Sequence, residues 1–128
     1  MDIKSVQNLV QDALSQVKTI SPDEALELSK KEMCNLIDIR DKVEIQNIGK
    51  IENSFHISRG LLEFSIHPDS PYVQNNNLDL DKEIVLFCAA GGRSALAAKT
   101  LKEMGFKNVS HIEGGFGAMS YAGFKVIK

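Results

Sequence analysis

The chain has 128 residues, of which 43% are hydrophobic and 25% are charged, and its formal net charge is −2 at pH 7. These values are ordinary for one globular domain, and the small negative charge gives no electrostatic basis for binding nucleic acid or an acidic membrane. No apolar run is long enough to span a membrane, and the N-terminus lacks the pattern of a signal peptide, so we expect a cytoplasmic protein.

The first 16 residues predict a helix that runs from about Ser5 to Gln16, because apolar side chains recur there at helical spacing. The apolar stripe of this helix favours packing against the rest of the chain. We therefore expect an N-terminal helical extension, residues 1–16, packed on a domain formed by residues 17–128.

Strands and helices alternate in the next part of the chain. Residues 17–20 are short and β-branched, which indicates an edge strand. The sequence Ser-Pro-Asp-Glu at residues 21–24 is typical of a helix start, since it offers an N-cap, a proline at the first helical position and a capping-box glutamate. Residues 34–40 then indicate a buried strand, and the apolar neighbours of Cys34 favour a core position for that side chain.

The middle of the chain carries weaker signals. Residues 41–48 indicate a short helix, residues 51–57 a further strand, and residues 61–66 another helix. We interpret His56, inside this strand, as a hydrogen-bonded structural residue. Residues 67–77 are polar and contain two prolines and three asparagines, which predicts a loop.

A strand that ends at a cysteine is the strongest candidate site in the sequence. Residues 84–87 predict a short buried strand, Cys88 follows directly, and Arg93 and Ser94 begin a segment with helical spacing. The four small residues between Cys88 and Arg93, two of them glycine, let successive backbone N–H groups turn inward and bind an anion. The helix N-terminus and the charge of Arg93 add positive potential, so we interpret Cys88 as a nucleophilic thiolate.

The C-terminal part repeats the same alternation. Apolar residues at helical spacing continue to Met104, and Gly105 marks the end of that helix. Residues 109–112 indicate the last strand, after which Gly114 and Gly115 turn the chain into a short helix. Strands that alternate with helices favour an α/β fold with a parallel sheet.

The sequence predicts no cofactor. Two cysteines do not form a disulfide framework, and we expect both thiols to be reduced. The three histidines are scattered singly, and no spacing typical of a zinc site occurs, so we expect no metal. No glycine-rich dinucleotide motif or phosphate-binding loop is present, so no nucleotide is implied.

Four segments, in this order, resemble the rhodanese (thiosulfate sulfurtransferase) family over roughly residues 17–126. Residues 36–40, Leu-Ile-Asp-Ile-Arg, resemble the early Asp-Val-Arg strand of that family, and residues 55–57 with Arg59-Gly60 resemble its Ala-Ile-Asn-Ile segment. The loop from Cys88 to Ser94 is similar to its active-site loop, and residues 113–116 are similar to its Glu-Gly-Gly turn.

The resemblance implies the fold and the activity. It implies a rhodanese-like three-layer sandwich in which helices flank a central, mostly parallel sheet. It also implies a sulfurtransferase that moves a sulfane sulfur from thiosulfate or a similar donor to a thiol or cyanide. The reaction would pass through a persulfide on Cys88. In the family, residues equivalent to Asp38 and Arg40 mostly organise the surrounding loops.

The expected substrate-binding residues follow from the same resemblance and from the anion-binding character of the loop. They are Ala89, Ala90, Gly91, Gly92, Arg93, Ser94 and Arg59. Arg93 would hold the anionic donor or brace the loop, and Ser94 could donate a hydroxyl hydrogen bond to the sulfur. Arg59 would hold a second anionic oxygen.

Two other functions remain open at this point. The chain could be a persulfide carrier or interaction module that hands sulfur to a partner protein. Related phosphatase and arsenate-reductase domains have one more residue between cysteine and arginine, whereas four residues separate Cys88 from Arg93. The expected partners are a small anionic sulfur donor, a thiol or cyanide acceptor, and also a sulfur-accepting protein.

Overall fold

Helices and strands alternate along the computed structural model, which describes all 128 residues. The α-helices are α1 (Val6–Leu14), α2 (Pro22–Lys30), α3 (Lys42–Ile48), α4 (Leu62–Ile66), α5 (Pro71–Asn75), α6 (Gly92–Glu103) and α7 (Gly115–Ala122). The strands are β1 (Lys18–Ile20), β2 (Cys34–Asp38), β3 (Lys50–Ile51), β4 (Phe55–His56), β5 (Glu83–Phe87), β6 (Val109–Ile112) and β7 (Val126–Ile127). None of the helices is long and apolar enough to cross a membrane.

Five strands form the central sheet in the order β1-β6-β5-β2-β4, and every neighbouring pair is parallel. The predicted edge strand, residues 17–20, is β1 at one margin of this sheet. Asp38 is paired with His56 of β4, and Leu86 is paired with His111 of β6. Because the strands are parallel, their C-terminal ends open on one edge of the sheet. Cys88 lies at this edge, one residue beyond β5.

Two apolar clusters cover the two faces of the sheet. Side chains of Ile84, Leu86 and Cys88 belong to the cluster that includes residues of α4, α5 and α6. Val85 and Phe87 belong to the other cluster, which includes residues of α2 and α7. This alternation follows from the two-residue period of a strand. The predicted three-layer sandwich with a central parallel sheet is therefore confirmed.

The N-terminal helix α1 lies along α6. Its N-cap is Ser5, whose hydroxyl accepts a hydrogen bond from the backbone N–H of Asn8 at 3.1 Å. Ala13 is fully buried, and the Lys102 ammonium donates to the carbonyl oxygen of Gln16 at 2.7 Å. The structure thus places α1 against α6, one of the helices that cover the sheet. The division of the chain into an extension and a domain at residue 16 stays a prediction.

Residues 51–57 do not form one strand, contrary to the sequence prediction. Ile51 belongs to β3, which pairs antiparallel with β7 in a separate two-stranded sheet, and β4 begins only at Phe55. The chain turns between them at Asn53, which adopts a positive φ of 68°. Asparagine tolerates this left-handed conformation better than most residues, so it breaks the apparent strand in two.

Residues 67–77, for which the sequence predicts a loop, contain the short helix α5. Ser70 caps this helix by accepting a hydrogen bond from the backbone N–H of Val73 at 3.1 Å, and Pro71 occupies its first position. The same Ser-Pro signal starts α2. The polar composition of the segment obscured it here.

Candidate active site

The sulfur of Cys88 lies at the bottom of a loop that joins β5 to α6. The backbone N–H groups of Gly91 and Ser94 donate to this sulfur at 3.2 and 3.4 Å. Gly91 adopts a φ of +109°, which a residue with a side chain rarely adopts, and this conformation turns the loop toward the sulfur. Cys88 is 1% exposed, so the sulfur is held in a small recess with two oriented donors. Such an arrangement favours an anionic sulfur.

The turn between β6 and α7 supports this loop from behind. The backbone N–H of Phe116 donates to the carbonyl oxygen of Cys88 at 2.8 Å. A Cβ atom on Gly115 would lie 2.4 Å from the same oxygen, and Gly115 also has a positive φ of 59°. Only glycine fits this position, so the glycine pair of the sequence fixes the backbone at the nucleophile.

The guanidinium of Arg93 is held by Glu44 of α3. Its guanidinium donates to both carboxylate oxygens of Glu44, at 2.8 and 2.9 Å. This hydrogen-bonded pair lowers the pKa of Glu44 to about 2 and raises the pKa of Arg93. Glu44 also accepts from the backbone N–H of Asp41 at 2.9 Å in a capping box. The ion pair therefore joins the start of α3 to the active-site loop.

Sequence reasoning missed Glu44 as a partner of the loop. The signal was present, because Asp41 and Glu44 have the spacing of a helix N-cap and its capping-box glutamate. This helix start follows the strand that ends at Asp38, next to β5 in the sheet. The strand order that brings the two segments together was not predicted.

The hydroxyl of Ser94 does not contact the sulfur, in contrast to the sequence expectation. It lies 3.2 Å from the carbonyl oxygen of Gly91 and 2.9 Å from Nδ1 of His111. The other ring nitrogen of His111, Nε2, lies 2.9 Å from Oγ1 of Thr19. Ser94 reaches the sulfur through its backbone N–H instead, because its side chain turns toward β6.

His111 is a second residue that the sequence did not indicate. It is 1% exposed, and burial lowers its pKa, while the charge of Glu113 acts in the opposite direction. In the sequence it is one of three scattered histidines. The parallel pairing of β5 with β6 places it beside the strand that carries Cys88.

The remaining loop residues predicted to bind substrate lie around the same recess. Ala89 and Ala90 are exposed at its mouth, and Gly92 begins α6. The backbone N–H of Gly117 approaches the carbonyl oxygen of Ala89 at 3.5 Å, which ties the loop to α7. The structure thus brings residues 88–94 together, and their contacts with substrate stay predictions.

Arg59 lies apart from the sulfur recess. Its guanidinium donates to the carboxylate of Glu63 at 2.8 Å and to the hydroxyl of Thr100 at 3.3 Å. Thr100 is about two helical turns beyond Arg93 on α6, or about 10 Å along the axis. These contacts occupy the guanidinium, and a role for Arg59 in holding a donor oxygen stays a prediction.

Asp38 and Arg40 form the structural ion pair that we expected. The guanidinium Nη2 of Arg40 donates to Asp38 at 2.8 Å and to the carbonyl oxygen of Gly49 at 2.8 Å, and both charged side chains are 1% exposed. The guanidinium also lies 4.1 Å from the ring centre of Phe116. The backbone carbonyl of Arg40 approaches Nε2 of His56 at 2.8 Å. This network fixes the loops beside the active site.

Cys34 lies at the opposite end of the sheet from Cys88, at the first residue of β2. Its thiol is free and half-buried. Burial and the nearby charge of Glu83 raise its pKa to about 11. A thiol in this state is a poor nucleophile at neutral pH.

The side chains of the structure include no group of three His, Cys, Asp or Glu residues that could hold a metal ion.

Known proteins are similar to this chain over most of its length. The model of the rhodanese-like domain family matches residues 21–122. The thiosulfate sulfurtransferase GlpE of Pseudomonas putida is 34% identical over 103 residues, which are 80% of this chain and 84% of that protein.

Two solved structures match a larger share of this chain. The polysulfide-sulfur transferase homodimer of Wolinella succinogenes is 35% identical, with a TM-score of 0.73, over 94% of this chain and 85% of that chain. A Rhodopseudomonas palustris protein of unknown function, described as a possible tyrosine phosphatase, is 43% identical, with a TM-score of 0.86, over 99% and 97% of the two chains. With the family model covering most of the domain, this chain belongs to the rhodanese family.

Proposed function

We propose that this protein is a sulfurtransferase that carries a sulfane sulfur on Cys88 as a persulfide. The observation that carries the proposal is the position of the Cys88 sulfur, which receives backbone N–H groups from Gly91 and Ser94 at the start of a helix. This recess can stabilise one sulfur anion without a neighbouring base. The thiosulfate sulfurtransferases and the polysulfide-sulfur transferase among the relatives agree with this chemistry.

In the first half-reaction, the Cys88 thiolate attacks the sulfane sulfur of thiosulfate or a similar donor. A sulfur–sulfur bond forms on Cys88, and the bond between the sulfane sulfur and the sulfite group breaks. Sulfite leaves with the electron pair of that bond, and the negative charge remains on the outer sulfur of the persulfide. The N–H groups that hold the thiolate are placed to stabilise this charge, as in an oxyanion hole.

In the second half-reaction, a nucleophile attacks the outer sulfur of the persulfide. A thiolate then leaves as a persulfide, or cyanide leaves as thiocyanate, and the Cys88 thiolate is regenerated. The small residues Ala89 and Ala90 at the mouth leave room for either nucleophile. A protein thiol is a further candidate acceptor, and we place the reaction in the cytoplasm, where thiols are reduced.

The carrier function is the main alternative, and turnover separates the two. We expect the wild type to form thiocyanate continuously from thiosulfate and cyanide, whereas the variant Cys88→Ser forms none. Stoichiometric persulfide on Cys88, without continuous formation of thiocyanate, would support a carrier in place of an enzyme.

Phosphatase activity is a second alternative, because the Rhodopseudomonas relative is described as a possible tyrosine phosphatase. The loop of this chain has four residues between Cys88 and Arg93, and the Arg93 guanidinium is occupied by Glu44. Both features disfavour the binding of a tetrahedral phosphate. We therefore expect no hydrolysis of an aryl phosphate and no reduction of arsenate by the same sample.

A further inference from the structure

The Ser94 hydroxyl is the only side-chain group that links the two residues donating to the Cys88 sulfur. It bonds the carbonyl oxygen of Gly91 at 3.2 Å, and the backbone N–H groups of Gly91 and Ser94 are the two that reach the sulfur. The same carbonyl also accepts the backbone N–H of Ala95 at 3.2 Å, so a group that fixes the hydroxyl adds a side-chain restraint on both donors. His111 is in that position, since its Nδ1 lies 2.9 Å from the hydroxyl oxygen.

The hydrogen bonds around His111 select one tautomer of its neutral ring. A serine hydroxyl has one proton, so a Ser94 hydroxyl that donates to Gly91 can only accept a bond from His111. Nδ1 must then carry the ring proton, and Nε2 must accept from the hydroxyl of Thr19 at 2.9 Å. The other neutral tautomer would take the Ser94 proton away from the Gly91 carbonyl. All three contacts therefore hold together with the proton on Nδ1.

We propose that His111 is a positioning residue for the sulfur-binding loop. It keeps the Ser94 hydroxyl on the Gly91 carbonyl, and so holds two N–H donors on the Cys88 sulfur. His111 is 1% exposed and no polar side-chain atom in the core lacks a partner, so water does not compete for these bonds. Loss of the Nδ1 donor frees the hydroxyl to rotate and loosens the turn that carries both N–H groups.

Two substitutions of His111 separate this role from a general contribution to stability. An asparagine amide can occupy the place of Nδ1 and donate to Ser94, whereas a glutamine amide reaches toward the place of Nε2 and Thr19. Both side chains are polar and similar in size to histidine. A positioning role through Ser94 requires that His111→Asn behaves like the wild type and that His111→Gln does not.

The measurement is the ultraviolet absorbance of the Cys88 thiolate as a function of pH, in a Cys34→Ser background. We expect the midpoint of the titration to rise by about one pH unit in His111→Gln, which is a tenfold smaller thiolate fraction at low pH. The midpoint of His111→Asn should stay within about 0.3 unit of the wild type. The charged groups around the loop are the same in every variant: Arg93, Glu44, Asp41, Glu113 and the buried pair of Asp38 and Arg40.

The variant Ser94→Ala supplies an independent arm, since it removes the hydroxyl and keeps the backbone N–H. It should raise the midpoint of the thiolate titration as His111→Gln does. The double variant Ser94→Ala, His111→Gln should raise that midpoint no further than either single variant. Equal midpoints for His111→Asn and His111→Gln, or additive shifts in the double variant, would overturn the proposal. If His111→Gln does not fold, an unshifted Ser94→Ala overturns it instead.

This inference rests on the proposed role of Cys88 as the nucleophile, but its test uses no sulfur donor. A shifted midpoint with no sulfur transfer would leave the positioning role standing and refute the proposed reaction. Sulfur transfer with unshifted midpoints in all variants would support the proposed reaction and refute the positioning role of His111.

Discussion

Arg93 and Glu44 are 49 residues apart in the sequence, and their side chains meet through two hydrogen bonds of 2.8 and 2.9 Å beside the sulfur recess. A guanidinium matches a carboxylate at two points in this geometry, which a lysine could not do. The pair places one positive and one negative charge at the mouth of the loop. The charge of Arg93 thus acts on a donor only in competition with Glu44.

Replacement of Arg93 tests the electrostatics of donor binding. Arg93→Ala leaves the Glu44 carboxylate unpaired near the recess, so we expect the KM for thiosulfate to rise about tenfold, equivalent to about 1.4 kcal/mol. The double variant Arg93→Ala, Glu44→Gln should recover part of this loss because it removes the repulsive charge. Steady-state kinetics with thiosulfate measure both effects, and unchanged kinetics in Arg93→Ala would mean that this side chain only braces the loop.

The same ion pair predicts how stability depends on pH. The pKa of Glu44 is about 2 in the folded protein and near 4.5 in the unfolded chain. The contribution of the ion pair to the free energy of unfolding is therefore complete above pH 4.5 and is lost as the pH falls through 2. Glutamine keeps the capping-box position, so Glu44→Gln isolates the charge. We expect the wild type to be more stable at pH 6, and the difference in free energy of unfolding to shrink toward zero near pH 2.

A surface carboxylate is the control for this titration. Glu103 lies 3.8 Å from Lys99 and is largely exposed, and such surface pairs contribute little. The variant Glu103→Gln should therefore show no comparable dependence on pH in denaturant titrations. A difference between the wild type and Glu44→Gln that stays constant from pH 6 to pH 2 would contradict the assigned ion pair.

Two glycines of α7 offer a matched test of how the turn supports the nucleophile. Gly115→Ala places a Cβ 2.4 Å from the Cys88 carbonyl and imposes a positive φ on alanine, so we expect a loss of at least about 2 kcal/mol of stability and of sulfur transfer. Gly117 has open space at its Cβ position, so Gly117→Ala should be neutral or stabilising by up to about 1 kcal/mol. Similar denaturation midpoints for the two variants would show that the close approach is relieved without cost.

Cys34 should take no part in the reaction. Its thiol has a raised pKa of about 11 and lies at the other end of the sheet, so Cys34→Ser should leave kcat and KM unchanged and cost about 1 kcal/mol or less. Turnover and thermal unfolding of this variant, measured beside the wild type, check the two parts. A large loss of turnover without unfolding would indicate a second functional thiol.

The sequence predicted the parts of the site that depend on local structure. The apolar run before Cys88, the small residues after it and the glycine pair at 114–115 are local signals, and each lies in the structure where it was expected. The Asp38 and Arg40 pair is also local, since Arg40 lies two residues after Asp38 at the end of β2. In each case the chemistry is determined by residues close in sequence.

The parts that the sequence did not predict depend on the order of the strands. Glu44 meets Arg93 because β2 lies beside β5, and His111 meets Ser94 because β6 lies on the other side of β5. Alternating strands and helices predict a parallel sheet but not which strands are neighbours. The expectation that the Ser94 hydroxyl contacts the sulfur was wrong for this reason, because the sequence did not show that His111 lies next to it.

The central claim is that Cys88 carries a sulfane sulfur, and the intact mass of the protein tests it most directly. Reduced wild type and Cys88→Ser are each incubated with thiosulfate. We predict a gain of about 32 Da, one sulfur atom, in the wild type only, and its removal by cyanide as thiocyanate. A gain of the same mass in Cys88→Ser, or no gain in the wild type with thiosulfate, polysulfide or an alkyl persulfide, would contradict the account.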